Sequence, residues 1–76
     1  MRRAYVRVNI HPGSEVAVRN HLRTQAAVRS ADLTAGQQDL VALVEGESFE
    51  AILDSVVDLF RSQEGVRNTT TNFILE

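Results

Sequence analysis

The chain copies a short stretch of itself: Gln25-Ala26-Ala27-Val28-Arg29 returns as Gln63-Glu64-Gly65-Val66-Arg67, 38 positions later. Each copy follows a helical pattern and opens a run that reads as a strand. Ahead of the two helical patterns, Gly13-Ser14 pairs with Gly46-Glu47-Ser48. Further back, the run Ala4 to Ile10 pairs with Leu40 to Glu45 as apolar strand candidates. The chain is therefore two strand–helix–strand units in tandem. Two copies predict a pseudo-symmetric domain, because a solenoid needs three or more stacked repeats.

The periodicities fill in this frame. Ala4, Val6, Val8 and Ile10 alternate with Tyr5, Arg7 and Asn9, the period-2 pattern of a strand. Pro12-Gly13 breaks it, and Ser14 is placed to cap a helix with Glu15 in its first turn. Val18 and Leu22 lie one turn apart on that helix's buried stripe. A second strand is expected over Val28–Thr34, a turn over Ala35–Gln38, and a third strand over Asp39–Glu45. Ser48 caps a second helix whose stripe is Phe49, Ile52, Leu53, Val56 and Phe60. Gly65 is expected at its C′ position, and Val66–Leu75 is the fourth strand.

That β-α-β-β-α-β order predicts the α+β, ferredoxin-like split β-α-β fold. Right-handed crossovers put both helices on one face of a four-stranded antiparallel sheet with the first and third strands central. The third strand carries Val41 and Leu43 on one face and Leu40, Ala42 and Val44 on the other. A strand apolar on both faces belongs buried on both, so the open sheet face calls for a second copy. Size agrees. A single core in 76 residues yields little net stability. With no cysteine and no Cys/His cluster, oligomerisation is the remaining common support.

Composition narrows the function. A chain 43% hydrophobic and 24% charged is not a disordered one. No apolar run approaches the roughly 20 residues that span a bilayer, and no signal sequence opens the chain, so a cytoplasmic domain is expected. The net charge of −2 and a third strand without aromatics argue against direct nucleic-acid contact. Residues 1–30 hold six of the eight arginines, while residues 31–76 hold nine of the ten acids. In a compact fold that asymmetry predicts pairing between halves or between subunits.

Catalytic chemistry is thin. His11 and His21 have no supporting carboxylates at ligand spacing and read as surface histidines rather than a metal pair. Asp54 and Asp58 read as the solvated face of the second helix, and Tyr5 as a dimer contact. No phosphate-cradling glycine loop is present, and no cofactor or metal is expected. Two polar patches remain. In Thr34-Ala35-Gly36-Gln37-Gln38-Asp39, Gly36 permits a tight turn, and Asp39 can accept bonds from neighbouring amides or from a ligand's ammonium, or simply tie the hairpin turn back on itself. In Asn68-Thr69-Thr70-Thr71-Asn72, five hydrogen-bonding residues interrupt the last strand, as expected of an edge strand facing water, a subunit or a ligand.

In Ala4-Tyr5-Val6 with Pro12-Gly13, Val28, Gly36 with Asp39, Gly65-Val66, Thr69, Thr71 and Ile74-Leu75, the chain resembles the stand-alone effector-binding (RAM) domain of the Lrp/AsnC feast/famine regulators. The resemblance covers residues 1–76 as one domain. It implies a homodimer through the open sheet faces, with assembly into tetramers up to decamers. It also implies an amino-acid-type effector near Gly36, Gln38 and Asp39 on the turn and Thr69 and Thr71 on the last strand. Gln38 stands where the family commonly has an aromatic residue, and Ala35 where it often has Thr. No DNA-binding segment precedes the first strand, so regulation without DNA contact is expected. Alternatives are an oligomerisation partner for full-length regulators of this family and a dimeric α/β-barrel enzyme using Tyr5, Arg7, Asn9 and His11.

Overall fold

The alternation of the first strand is realised residue by residue. In the computed structural model, which describes all 76 residues, β1 (Arg2–Ile10) buries Ala4, Val6, Val8 and Ile10 and exposes Arg3, Tyr5 and Arg7. It is followed by α1 (Glu15–Arg23), β2 (Val28–Leu33), β3 (Leu40–Gly46), α2 (Phe49–Ser55) with a π-helical extension Val56–Arg61, and β4 (Val66–Ile74). The four strands form one antiparallel sheet in the order β2-β3-β1-β4. The split β-α-β topology and the central places of β1 and β3 are as the sequence predicts. The core is a single apolar layer between sheet and helices, with no buried polar side chain. Leu40, Ala42 and Val44 face this layer, while Val41 and Leu43 lie half-buried on the other side. Thr34 and Asp39 fall outside the strands because they close the turn, the Thr34 N–H donating to the Asp39 carbonyl at 3.0 Å.

The helix ends correct three expectations. Ser48 is extended (φ −145°, ψ 165°) and its Oγ accepts from the Ala51 N–H at 3.0 Å, a working cap. Ser14 occupies the corresponding place on α1 but makes no side-chain cap, because its backbone (φ −99°, ψ −1°) is already helical. The Glu15 carboxylate instead folds back to accept from the Gly13 N–H at 2.8 Å. Gly65 is not a left-handed C′ residue, since only Gly13 and Gly36 have positive φ. Its need is space: a Cβ there would lie 2.6 Å from the Ser14 Cβ. Leu53, expected on the buried stripe, is 46% exposed. In a strict α-helix Ile52 and Phe60 would sit roughly 80° apart. The wider π turn returns Phe60 to the core beside Ile52 and Val56, and Leu53 falls outside that row.

The duplicated Val-Arg has a structural meaning. Val28 pairs with Val44 and Ser30 with Leu43, so Arg29 is an extra residue in β2. Val66 pairs with Ile10 and Asn68 with Asn9, so Arg67 is the extra residue in β4. Each copy therefore opens its strand with a β-bulge whose surplus residue is arginine. The charge asymmetry resolves as pairing between halves: Arg23 meets Asp32 at 3.2 Å and Arg29 meets Glu45 at 3.4 Å. Arg23 also donates to the Ala31 carbonyl at 2.8 Å, which blunts the exposed edge of β2. The polar strand β4 forms the other edge, as its composition predicts.

Candidate functional site

The β2–β3 turn is held by side chains as much as by backbone. Gly36 sits at φ +125° with open space where a Cβ would be, so conformation alone requires glycine there. The Thr34 hydroxyl donates to the Gln38 carbonyl at 2.9 Å, and the Asn9 amide donates to the Gln37 carbonyl at 2.7 Å. Asp39 locks the turn onto β1. Its N–H donates to the Val8 carbonyl at 2.9 Å, and its Oδ2 accepts from the Ile10 N–H at 2.7 Å. The carboxylate thus ties β3 to β1, rather than closing only its own turn.

The register places the threonines. Thr69 lies opposite Val8 and Thr71 opposite Val6, so both are half-buried on the helix side of β4. Thr70 and Asn72, opposite Arg7 and Tyr5, are the exposed members on the open face. The start of β4 and the β2–β3 turn share one end of the sheet, but β1 runs between them. Two strand spacings, about 10 Å, separate them. Within one chain the five expected effector residues are two groups. Gln38 lines an open depression of about 440 Å³ on the uncovered face, with Tyr5, Arg7 and Val41. Thr69 lines a separate groove of about 360 Å³ with Arg61, Val66, Arg67 and Asn68.

Arg61 and Arg67 are absent from the residues expected from sequence. The sequence sets them apart only by position: Arg61 is the one basic residue between Arg29 and Arg67, Arg67 closes the second copy of the repeat, and neither fact brings the two together. His11 and His21, ten residues apart in sequence, both line a third groove of about 650 Å³ that Glu64 also lines. No group of three or more His, Cys, Asp or Glu side chains is arranged to hold a metal ion. Asp54 and Asp58 are exposed along the second helix, as its pattern predicts. No helix is long and apolar enough to cross a membrane.

A split β-α-β sheet with one bare face, a side-chain-locked β2–β3 turn and a polar edge strand defines a domain of the ferredoxin-like class. The chain belongs to the Lrp/AsnC ligand binding domain family, whose model matches residues 3–76. Among solved structures, it is similar to TTHA0845 from Thermus thermophilus, with TM-score 0.94 and 28% identity, over 100% of this chain and 95% of that one. The hypothetical protein PHS023 from Pyrococcus horikoshii matches with TM-score 0.91 and 25% identity, over 100% and 93%. The transcriptional regulator NMB0573 from Neisseria meningitidis, solved as an L-Met complex, has TM-score 0.86 at 22% identity. This chain is covered over 99% there but spans only 50% of that longer protein. No curated protein sequence matches significantly.

Proposed function

We propose that this domain is a regulatory sensor: an assembly of copies that binds an amino acid or related small metabolite and passes the binding event on through its oligomeric state. The observation that carries this reading is the division of the polar residues. Gly36, Gln38 and Asp39 stand on one side of β1 and Thr69 on the other near the same end of the sheet, with Thr71 two residues further along, opposite the middle of β1. In this reading the two groups reach one ligand from neighbouring copies of the chain, which couples binding to assembly. Membership in a ligand-binding family supports the reading, as does the L-Met complex of the Neisseria regulator.

The homodimer forms through the open face, where Tyr5 is 48% exposed beside half-buried Val41 and Leu43. Covering that face gives the apolar residues of β3 the second buried side that their pattern demands. Higher assemblies, from tetramers to decamers, are built from such dimers. The role is regulatory rather than catalytic and needs no cofactor. The domain makes no DNA contact of its own, in keeping with a net charge of −2, and transmits its state to a longer regulator of the same family.

The test is a thermal melt at fixed protein concentration against each of the twenty amino acids, paired with solution mass. A ligand at about 100 times its Kd stabilises the native state by about 2.7 kcal/mol. The expected result is a melting shift with one ligand class, a change in assembly mass, and loss of both in Gln38→Ala and Thr69→Val. Melting and mass indifferent to every ligand would overturn the reading. Constant mass with a regulator from the same family co-purifying would instead support a purely structural partner.

A further inference from the structure

We propose that Arg61 and Arg67 form a binding site for a small oxyanion, a carboxylate or a phosphate group, in the groove at the start of β4. The proposal goes beyond the effector reading, with which it shares only Thr69. Two backbone irregularities meet at this groove, and each supplies one arginine. The π-helical extension Val56–Arg61 ends on Arg61. The β-bulge of β4 has Arg67 as its surplus residue. Bulges re-aim a side chain, and π turns recur at functional sites.

The pseudo-symmetry supplies an internal comparison. Arg29 is the bulged arginine of the first copy, and Glu45 neutralises it at 3.4 Å. Its counterpart Arg67 has no carboxylate partner, because the chain's two ion pairs use Arg23 and Arg29. Arg61 is likewise unpaired. Six of the eight arginines make no ion pair, and two of these, Arg61 and Arg67, line one groove that no carboxylate lines. Asn68 and Thr69 complete its wall with neutral hydrogen-bonding groups. A guanidinium presents a planar fork of donors that fits two oxygens of a carboxylate or phosphate, and two forks in one groove select for negative charge.

The experiment is calorimetric titration of the full chain, in low-salt buffer free of phosphate and carboxylates, with inorganic phosphate and separately with succinate. Saturable binding of at least one probe is expected. Arg61→Gln and Arg67→Gln each weaken it by about tenfold or more, the cost of a charge-assisted hydrogen bond, and Arg29→Gln leaves it unchanged. Binding of phosphate alone assigns the groove to phosphate groups, and of succinate alone to carboxylates. No saturable heat from either probe overturns the proposal, as does equal weakening by Arg29→Gln. Anion binding in a chain inert to all twenty amino acids removes only the effector reading. Amino-acid binding without anion binding removes only this one.

Discussion

Gly65→Ala tests the seam between the two halves. A Cβ at this position meets the Ser14 Cβ at 2.6 Å, the Val18 Cγ2 at 3.0 Å and the Ser14 Oγ at 3.1 Å. Carbon atoms settle at about 3.5–4.0 Å, so the closest pair must separate by roughly 1 Å. The Ser14 Cβ is fixed to its backbone and cannot rotate away; the 11–14 turn or the 62–65 turn has to move. Both are anchored, by the His11 N–H donating to the Gly65 carbonyl at 2.8 Å and the Ser14 N–H to the His11 carbonyl at 3.0 Å. Overpacking of this kind costs about 3 kcal/mol at the upper end of its range. Replacing glycine stiffens the unfolded chain and returns about 0.4–1 kcal/mol. The net expectation is a loss of about 2 kcal/mol, or about 8–16 °C in melting temperature for so small a domain. Urea denaturation at fixed protein concentration measures it, with an unchanged slope as the sign that stability alone has moved. Adding Ser14→Gly removes two of the three clashes and should recover about 1 kcal/mol or more as coupling in a double-mutant cycle. A loss under about 0.5 kcal/mol, or no coupling to Ser14, refutes the argument that this glycine exists for space.

Other substitutions separate mechanisms that the sequence alone merges. Gly36→Ala meets no atom, yet should cost about 1–3 kcal/mol because φ +125° is a backbone state that alanine resists; urea midpoints measure it, and no second-site deletion should relieve it. Ser48→Ala should lose about 0.5–2 kcal/mol with its cap, whereas Ser14→Ala should be close to neutral by the same assay. Asp39→Ala strands the Ile10 N–H and should destabilise the apo domain by about 1–3 kcal/mol. Its effect on ligand response must therefore be read at a temperature where both proteins are folded. Retention of full apo stability would show that this bond contributes nothing net.

The site was less legible than the fold, for a physical reason. Gly36 and Asp39 announce a turn through their own conformational and hydrogen-bonding preferences. That the Asp39 carboxylate bonds β1, 29 residues away, is a long-range fact. Thr69 and Thr71 were legible as polar interruptions of a strand. Their position on the helix side, with Thr70 on the open face, follows from the bulge at Arg67, which shifts the register and cannot be counted from alternation alone. Arg61 and Arg67 carry no local signature of convergence, since the π turn and the bulge that bring them together are packing solutions. Leu53 shows the same limit: helical periodicity assumed α geometry, and the extra residue per turn needed to seat Phe60 moved the buried stripe.

Periodicity, turn chemistry and the internal copy therefore determined by themselves the β-α-β-β-α-β order, the central strands and the bare sheet face. Those properties depend on side chains near in sequence, whose spacing of two or about four residues is printed in the chain. Only the tertiary structure decided what the copied Val-Arg is for. In both halves it makes a bulge, but Glu45 pairs with Arg29, whereas no carboxylate pairs with Arg67 or lines its groove. Charge pairing is settled by distance through space, and two nearly identical sequences acquire different chemistry from the neighbours the fold gives them.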